Sequence, residues 1–296
     1  MLAETLAGLK IKPDGRYLDA TGGGGGHSAA ILDKLSETGR LLVIDRDDDA
    51  LAVLRERFGA DARVIVHKLN FGAIGTDATV AGVAPFDGIL FDFGVSSRQI
   101  DNPERGFSFM QPGPLDMRMD RSQGDSAAAV VNEYGEAALI RILREYGEEP
   151  RAKRIVQALV QARPVTTTEQ LRAVVETVAD PRERIKTLAR VFQALRIEVN
   201  GEMGEIDHAL DAAYELLASD GRLVALSYHS LEDRRVKKFL RRMEGENRDR
   251  YLALPGAETQ VRMKAVPRKA VQPGQSEIDT NPRARSARLR IAIKQV

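Results

Sequence analysis

The chain of 296 residues contains no cysteine, which excludes disulfides, thiolate catalysis, iron–sulfur clusters and cysteine-ligated zinc. No apolar run approaches the roughly 20 residues needed to cross a bilayer. The first ten residues lack a basic stretch followed by a long apolar one, so no signal peptide is expected and the expected setting is soluble and cytoplasmic. Net charge is nearly absent as well, +1 from 44 basic and 43 acidic side chains. That balance hides a gradient: residues 1–100 hold 11 basic and 14 acidic side chains, residues 201–296 hold 18 and 14. Arg234, Arg235, Lys237, Lys238, Arg241 and Arg242 form one basic cluster and Arg283, Arg285, Arg288 and Arg290 another, a composition suited to phosphate contacts. With 43% hydrophobic and 29% charged residues, the chain has the make-up of one large globular domain or two modest ones.

Short apolar runs at residues 16–20, 41–45, 62–67, 86–92 and 222–227 read as strands. Helical periods at 27–35 and 48–58 separate the first three. Continuous apolar strands alternating with helices predict a parallel sheet covered on both faces, the doubly wound α/β pattern, with ligands at the carboxyl ends of the strands. From about residue 132 to 200 the strand signal gives way to four helical segments. Pro150 suits the start of one, Arg163-Pro164 its stop, and Thr166 to Glu169 a capping box. This predicts an inserted helical domain at 111–200 within a discontinuous α/β domain of 1–110 and 201–296. After a helix at 203–217 and a turn at Asp220-Gly221, a basic helix follows at 230–243 and a polar, turn-rich loop at 244–258. Segments 261–266 and 286–294 are expected to pair as a final hairpin.

Between the first strand and the first helix stands Asp19-Ala-Thr-Gly-Gly-Gly-Gly-Gly-His27-Ser28. Glycines there let the backbone turn sharply and approach a ligand, and the helix N–H groups favour an anionic group. No Gly-Lys-Ser/Thr follows, so the loop is not a P-loop. Asp45 ends the second strand, where two accepting oxygens suit ribose hydroxyls. The neighbouring Asp47-Asp48-Asp49 reads as a helix cap. A nicotinamide dinucleotide and S-adenosylmethionine both fit these features. His229 to Asp233 lacks the context of a hydrolase triad, and the four histidines show no metal-ligand spacing, so no metal is expected. Ser230 with Asp233 reads as a helix-capping pair.

Six further segments decide between the cofactors. They are Asp92-Phe-Gly-Val-Ser-Ser97 with Gln99, Arg105-Gly-Phe-Ser-Phe109, Pro114-Leu-Asp-Met-Arg-Met-Asp120, Phe192 to Asn200, His229-Ser-Leu-Glu-Asp233, and Asn281 to Arg290. In this order behind the glycine loop, from about Leu2 to Lys294, they resemble the bacterial ribosomal small-subunit methyltransferase H family, also called MraW. The resemblance implies a class I S-adenosylmethionine-dependent methyltransferase fold with an inserted helical domain for RNA recognition. It implies methyl transfer to N4 of a cytidine in the decoding region of 16S rRNA, within a small subunit or a late assembly particle. Gly25, Gly26 and His27 match the family's loop for the methionine part of the cofactor. Asp45 matches its ribose ligand, Phe71 a residue beside the adenosine, and Asp92 and Gln99 further cofactor contacts.

Many amino-methyltransferases carry Asp/Asn-Pro-Pro-Tyr after the fourth strand. Here Asp92 to Ser97 stands there without the proline pair, and Asp92, Ser96 and Ser97 are the candidates for contact with N4. Arg105, Asp116, Arg118, His229, Arg283 and Arg285 are the candidates for RNA contact. A non-catalytic RNA-binding or ribosome-assembly factor with a residual nucleotide fold is the alternative, and Asp19, Asp45 and Asp92 argue against it.

Overall fold

The computed structural model describes residues 1–245 and 261–295. Of the turn-rich stretch expected at 244–258, residues 246–258 therefore lie outside the described residues. The chain forms two compact units, one from Met1–Gly94 with Met203–Val296, the other from Val95–Glu202.

The first unit is built on a seven-stranded sheet. Its strands are β1 (Arg16–Asp19), β2 (Arg40–Asp45), β3 (Val64–Lys68), β4 (Phe86–Asp92), β5 (Leu217–Ser227), β6 (Met263–Ala265) and β7 (Arg288–Lys294). Their spatial order is β3-β2-β1-β4-β5-β7-β6. β1 to β5 are parallel; β7 runs antiparallel to both β5 and β6, the pairing expected of a terminal hairpin. The chain crosses from the β1–β3 side to β4 beside β1, so strand order reverses there and opens a crevice at the carboxyl ends. Leu41 to Ile44 and Ile89 to Phe91 are essentially inaccessible, which is why these strands read as unbroken apolar runs. Each such aliphatic side chain contributes roughly 1.5–3 kcal/mol by burial.

The turn expected at Asp220-Gly221 is instead part of β5. Opposite Phe86 and Gly88 of β4 the partner residue jumps from Leu217 to Arg222. Asp220 takes a left-handed conformation (φ 62°), so the irregularity is absorbed as a bulge without ending the strand.

The second unit is helical: Ala127–Glu133, Glu136–Glu145, Ala152–Ala162, Thr168–Val178 and Arg184–Asn200. Their apolar stripes meet in one core that includes Val130, Leu139, Ile155, Leu171, Leu188 and Leu195. The capping box before Leu171 is Thr167 with Gln170, one residue later than the sequence pattern suggested. The chain divides at residue 94 and not at 110, because residues 103–120 are knit into this unit. Gly113 N–H donates to Thr168 Oγ1 at 3.0 Å. The Asn200 side chain accepts from Met119 N–H at 2.8 Å and donates to the Met117 carbonyl at 2.8 Å.

Candidate functional site

The glycine loop joins β1 to the helix Gly26–Leu32. Its glycines are not equivalent. A Cβ on Gly22 would lie 2.6 Å from both Leu54 Cδ1 and Val43 Cγ1, so the loop enters tightly against β2 and the helix Asp48–Phe58. Gly25 has φ +77° and a Cβ there would meet Phe58 Cε2 at 2.8 Å, which leaves glycine alone suited to the position. Gly26 has open space where a Cβ would stand. Packing thus constrains Gly22 and Gly25.

Three acidic residues end neighbouring strands at this edge. Asp19, at the end of β1, is fully buried; it accepts from Ser28 Oγ at 2.6 Å and from Thr21 N–H at 3.2 Å. Burial pushes its carboxyl above the usual range, opposed by His27 and by those hydrogen bonds. Asp45, at the end of β2, accepts Gly23 N–H on Oδ2 at 2.8 Å and Asp47 N–H on Oδ1 at 2.9 Å. It therefore straps the glycine loop to the second strand. Desolvation raises its pKa too, against the pull of the same two N–H groups.

Asp92 closes β4. Its Oδ1 accepts from the Tyr228 hydroxyl at 2.8 Å, and its Oδ2 lies 3.4 Å from His27 Nδ1. Its own N–H donates to Thr21 Oγ1 at 2.7 Å. Burial raises the Asp92 pKa; His27 and the Tyr228 hydroxyl work against the rise, and Asp19 adds to it. Tyr228, just past β5, is pushed upward by its own burial and then by Asp92, so its phenol stays protonated as the donor of this bond. Sequence reasoning missed Tyr228 altogether; its one signal was its place immediately after the fifth strand.

Phe71 opens a turn after β3, capped by Asn70, whose Oδ1 accepts Gly72 N–H at 3.2 Å. The ring stands edge-on to Phe91 and Phe93, with centroids 6.2 and 5.6 Å away, and the Arg46 guanidinium lies 6.0 Å from its centroid. An aromatic ring near Arg46, the residue after Asp45, and packed on stacked Phe91 and Phe93, suits a purine attached to a ribose.

His229 caps the helix Ser230–Met243, and Glu232, not Asp233, completes the cap. Glu232 is fully buried; its Oε2 accepts Tyr228 N–H at 2.7 Å and His229 N–H at 3.2 Å, and its Oε1 lies 3.0 Å from His229 Nε2. Asp233 instead takes a bidentate pair from Arg290 at 2.7 and 3.1 Å. Arg283 and Arg285 are exposed on the turn Pro282–Ser286.

Other candidates belong to the helical unit. Ser96 and Gln99 cap the short helix Ser97–Asp101 reciprocally: Gln99 N–H donates to Ser96 Oγ at 3.2 Å and Ser96 N–H to Gln99 Oε1 at 2.9 Å. That cap is a structural use of both side chains; Ser97 is exposed in the first turn. Arg105, expected on RNA, is only 2% exposed and donates to the carbonyls of Arg118 and Met119 at 3.1 and 3.0 Å. It is a buried tie within the unit, and that expectation is corrected. Asp116 and Arg118 form a bidentate pair at 2.7 and 3.0 Å. Burial pulls the Asp116 pKa up, but the Arg118 guanidinium and N–H prevail and hold it below the usual range.

A glycine loop, acidic residues ending β1, β2 and β4, and an antiparallel strand between β5 and β6 define a class I methyltransferase domain. The model of the MraW methylase family matches residues 1–295, and the chain belongs to that family. Among relatives, a protein of Methylococcus capsulatus is 47% identical over 100% of this chain and 99% of its own length. One of Legionella pneumophila is 47% identical over 99% and 97%, and one of Shewanella loihica 46% over 99% and 95%. All three are called ribosomal RNA small subunit methyltransferase H.

Proposed function

We propose that this chain transfers a methyl group from S-adenosylmethionine to N4 of a cytidine in the decoding region of 16S rRNA, acting on a small subunit or a late assembly particle in the cytoplasm. At the coarser level the chain is an S-adenosylmethionine-dependent rRNA methyltransferase: its whole length is shared with relatives named for methylating small-subunit rRNA. The observation that carries the finer reading is the set of carboxyls ending β1, β2 and β4 beside a clamped glycine loop, with Asp92 held on both oxygens by groups of its own unit.

The donor set fits the cofactor. Each Asp45 oxygen keeps an accepting site beyond the N–H it already binds, which matches two vicinal ribose hydroxyls. Phe71 offers a ring face to the adenine, and Gly25, Gly26 and His27 follow the methionine part. When bound, the cofactor supplies a methyl group already activated on a sulfonium.

The acceptor is the difficult partner, because the lone pair of a cytosine amino group is delocalised into the ring. Asp92 accepts hydrogen bonds from that amino group, favours its pyramidal form and takes the departing proton toward its own carboxylate. A raised pKa makes Asp92 a better proton acceptor than an exposed aspartate. Tyr228 fixes Oδ1, and Oδ2, which lies 3.4 Å from His27 Nδ1, is the oxygen assigned to the amino group. RNA contact is assigned to the helical unit and, on the first unit, to Arg283 and Arg285.

The test is incubation with methyl-labelled cofactor and small subunits from cells lacking this modification, followed by nucleoside mapping. Label in N4-methylcytidine is expected. Label at a ring carbon or a ribose oxygen would overturn the N4 assignment while leaving an rRNA methyltransferase; no label on any rRNA would overturn the reading as a whole.

A further inference from the structure

The basic helix Ser230–Met243 sorts its cations by face. Arg235 and Arg242 are ion-paired to Asp207 and Asp211 of the neighbouring helix Glu202–Leu216. Lys237 and Arg241, one turn apart on another face, are exposed and line a cavity of about 440 Å³. Arg268, Lys269 and Arg288 complete its charged wall from the segment after β6 and from the start of β7. Leu240, Ala265 and Ala270 give it an apolar floor. Arg290 also reaches the cavity, and it shares the Asp233 carboxylate with Arg288, at 2.7 and 3.7 Å respectively. Glu244 is the one acidic residue in the lining, and its Oε1 is engaged by Ala265 N–H at 2.9 Å.

Like charges at i and i+4 on a helix repel one another, and three more cations brought to the same concavity add to that cost. The lining itself gathers six cationic side chains and a single carboxylate, that of Glu244. Such a concentration of basic side chains around an apolar floor matches a polyanion that also carries flat apolar groups. From this cavity we infer an RNA-docking site lined by none of the strand-end residues: Lys237, Arg241, Arg268, Lys269 and Arg288 hold the phosphates of an rRNA strand, whose sugars or bases rest on Leu240, Ala265 and Ala270. This inference rests on the rRNA reading above and names where the backbone is gripped. Phosphate contacts of this kind fix register without reading sequence.

The salt dependence of RNA binding tests it. Each phosphate neutralised by a cation contributes about 0.7–0.9 to the slope of log K against log salt. Lys237→Gln with Lys269→Gln, both at exposed positions, should lower that slope by between one and two for an rRNA fragment containing the target cytidine. It should also raise KM for methylation of small subunits at least tenfold, with calorimetric affinity for S-adenosylmethionine unchanged. Lys10→Gln with Lys34→Gln, equally exposed and equal in charge lost, should leave the slope within experimental error. An unchanged slope in the folded Lys237/Lys269 variant overturns the site, as does an equal drop in the control, which would reduce the effect to net charge. A loss confined to assembled subunits with naked rRNA binding intact also overturns it, because the cavity then takes a protein partner. Wild-type protein that methylates no rRNA at all would mark failure of the enzymatic reading instead.

Discussion

Removing the Asp45 carboxylate should separate the cofactor's ribose from the rest of its binding energy. Each oxygen of Asp45 already accepts one backbone N–H, at 2.8 and 2.9 Å, and a carboxylate oxygen has room for a second donor. Two ribose hydroxyls therefore find two acceptors on a charged group, each worth roughly 1.5–3 kcal/mol. Part of that is offset by desolvating a carboxyl that burial has already made reluctant to ionise. A net loss of about 3 kcal/mol for Asp45→Ala follows, or roughly 10²-fold in Kd. The substitution also frees Gly23 N–H, so the loop itself slackens. Calorimetric titration with S-adenosylmethionine and with a 3′-deoxy analogue distinguishes the two effects. Wild type should lose about tenfold on deoxygenation, the worth of one such bond, and Asp45→Ala less than twofold. If a folded Asp45→Ala protein binds with native affinity, or pays the same penalty as wild type for the missing hydroxyl, the ribose assignment is wrong.

Asp92→Asn should slow single-turnover methylation by roughly 10²-fold or more at saturating cofactor and RNA, the scale of a positioned acid–base group; a change in cofactor KM alone would reduce Asp92 to a binding residue. Tyr228→Phe keeps the ring and removes the 2.8 Å bond to Asp92, so turnover should fall by about tenfold and its acidic limb should move to higher pH, since the carboxyl loses a partner that held its pKa down. Gly25→Ala forces a side chain into φ +77° and against Phe58, costing about 1–2 kcal/mol in backbone strain before any packing term; thermal melting should show it, together with weaker cofactor binding. Cofactor affinity should itself weaken as pH falls from neutral through the raised pKa of Asp45, because the ribose favours the ionised carboxylate; binding should then release protons, detectable by calorimetry in buffers of different ionisation enthalpy, and Asp45→Asn should abolish both effects.

The strand ends were legible because buried parallel strands leave unbroken apolar runs, and Asp19, Asp45 and Asp92 each follow such a run directly. The helices of the second unit were legible from their apolar spacing and their proline and capping punctuation. Relations between distant residues were not. Arg105 in a sequence is a cation beside two phenylalanines; only the fold shows its Nη2 group donating to carbonyls 13 and 14 positions away. Tyr228 reads as one more aromatic after a strand until the sheet brings it within reach of Asp92. The cap of the basic helix went to Glu232 and not to Asp233 because Arg290, on the last strand, claims Asp233. The sorting of that helix's cations depends likewise on where Asp207 and Asp211 fall, which heptad counting along one helix does not reveal.

The departure of the chain at Gly94 and its return at Met203 impose an order of events on synthesis. β4 ends at Asp92, yet its neighbour β5 begins only at Leu217, so a ribosome must add more than the entire helical unit before the two strands can pair. That unit has its own core and closes within a continuous stretch of chain, so it can gather early. The sheet waits, bearing the loop-closure cost of a long intervening segment. Until residue 228 emerges, Asp92 has no tyrosine to hold it, and β4 keeps an open edge beyond which no strand yet lies. A nascent chain therefore presents its cofactor half early and its finished reaction site last, and truncated products ending before Leu217 should carry glycine loop and Asp45 alike without a competent Asp92.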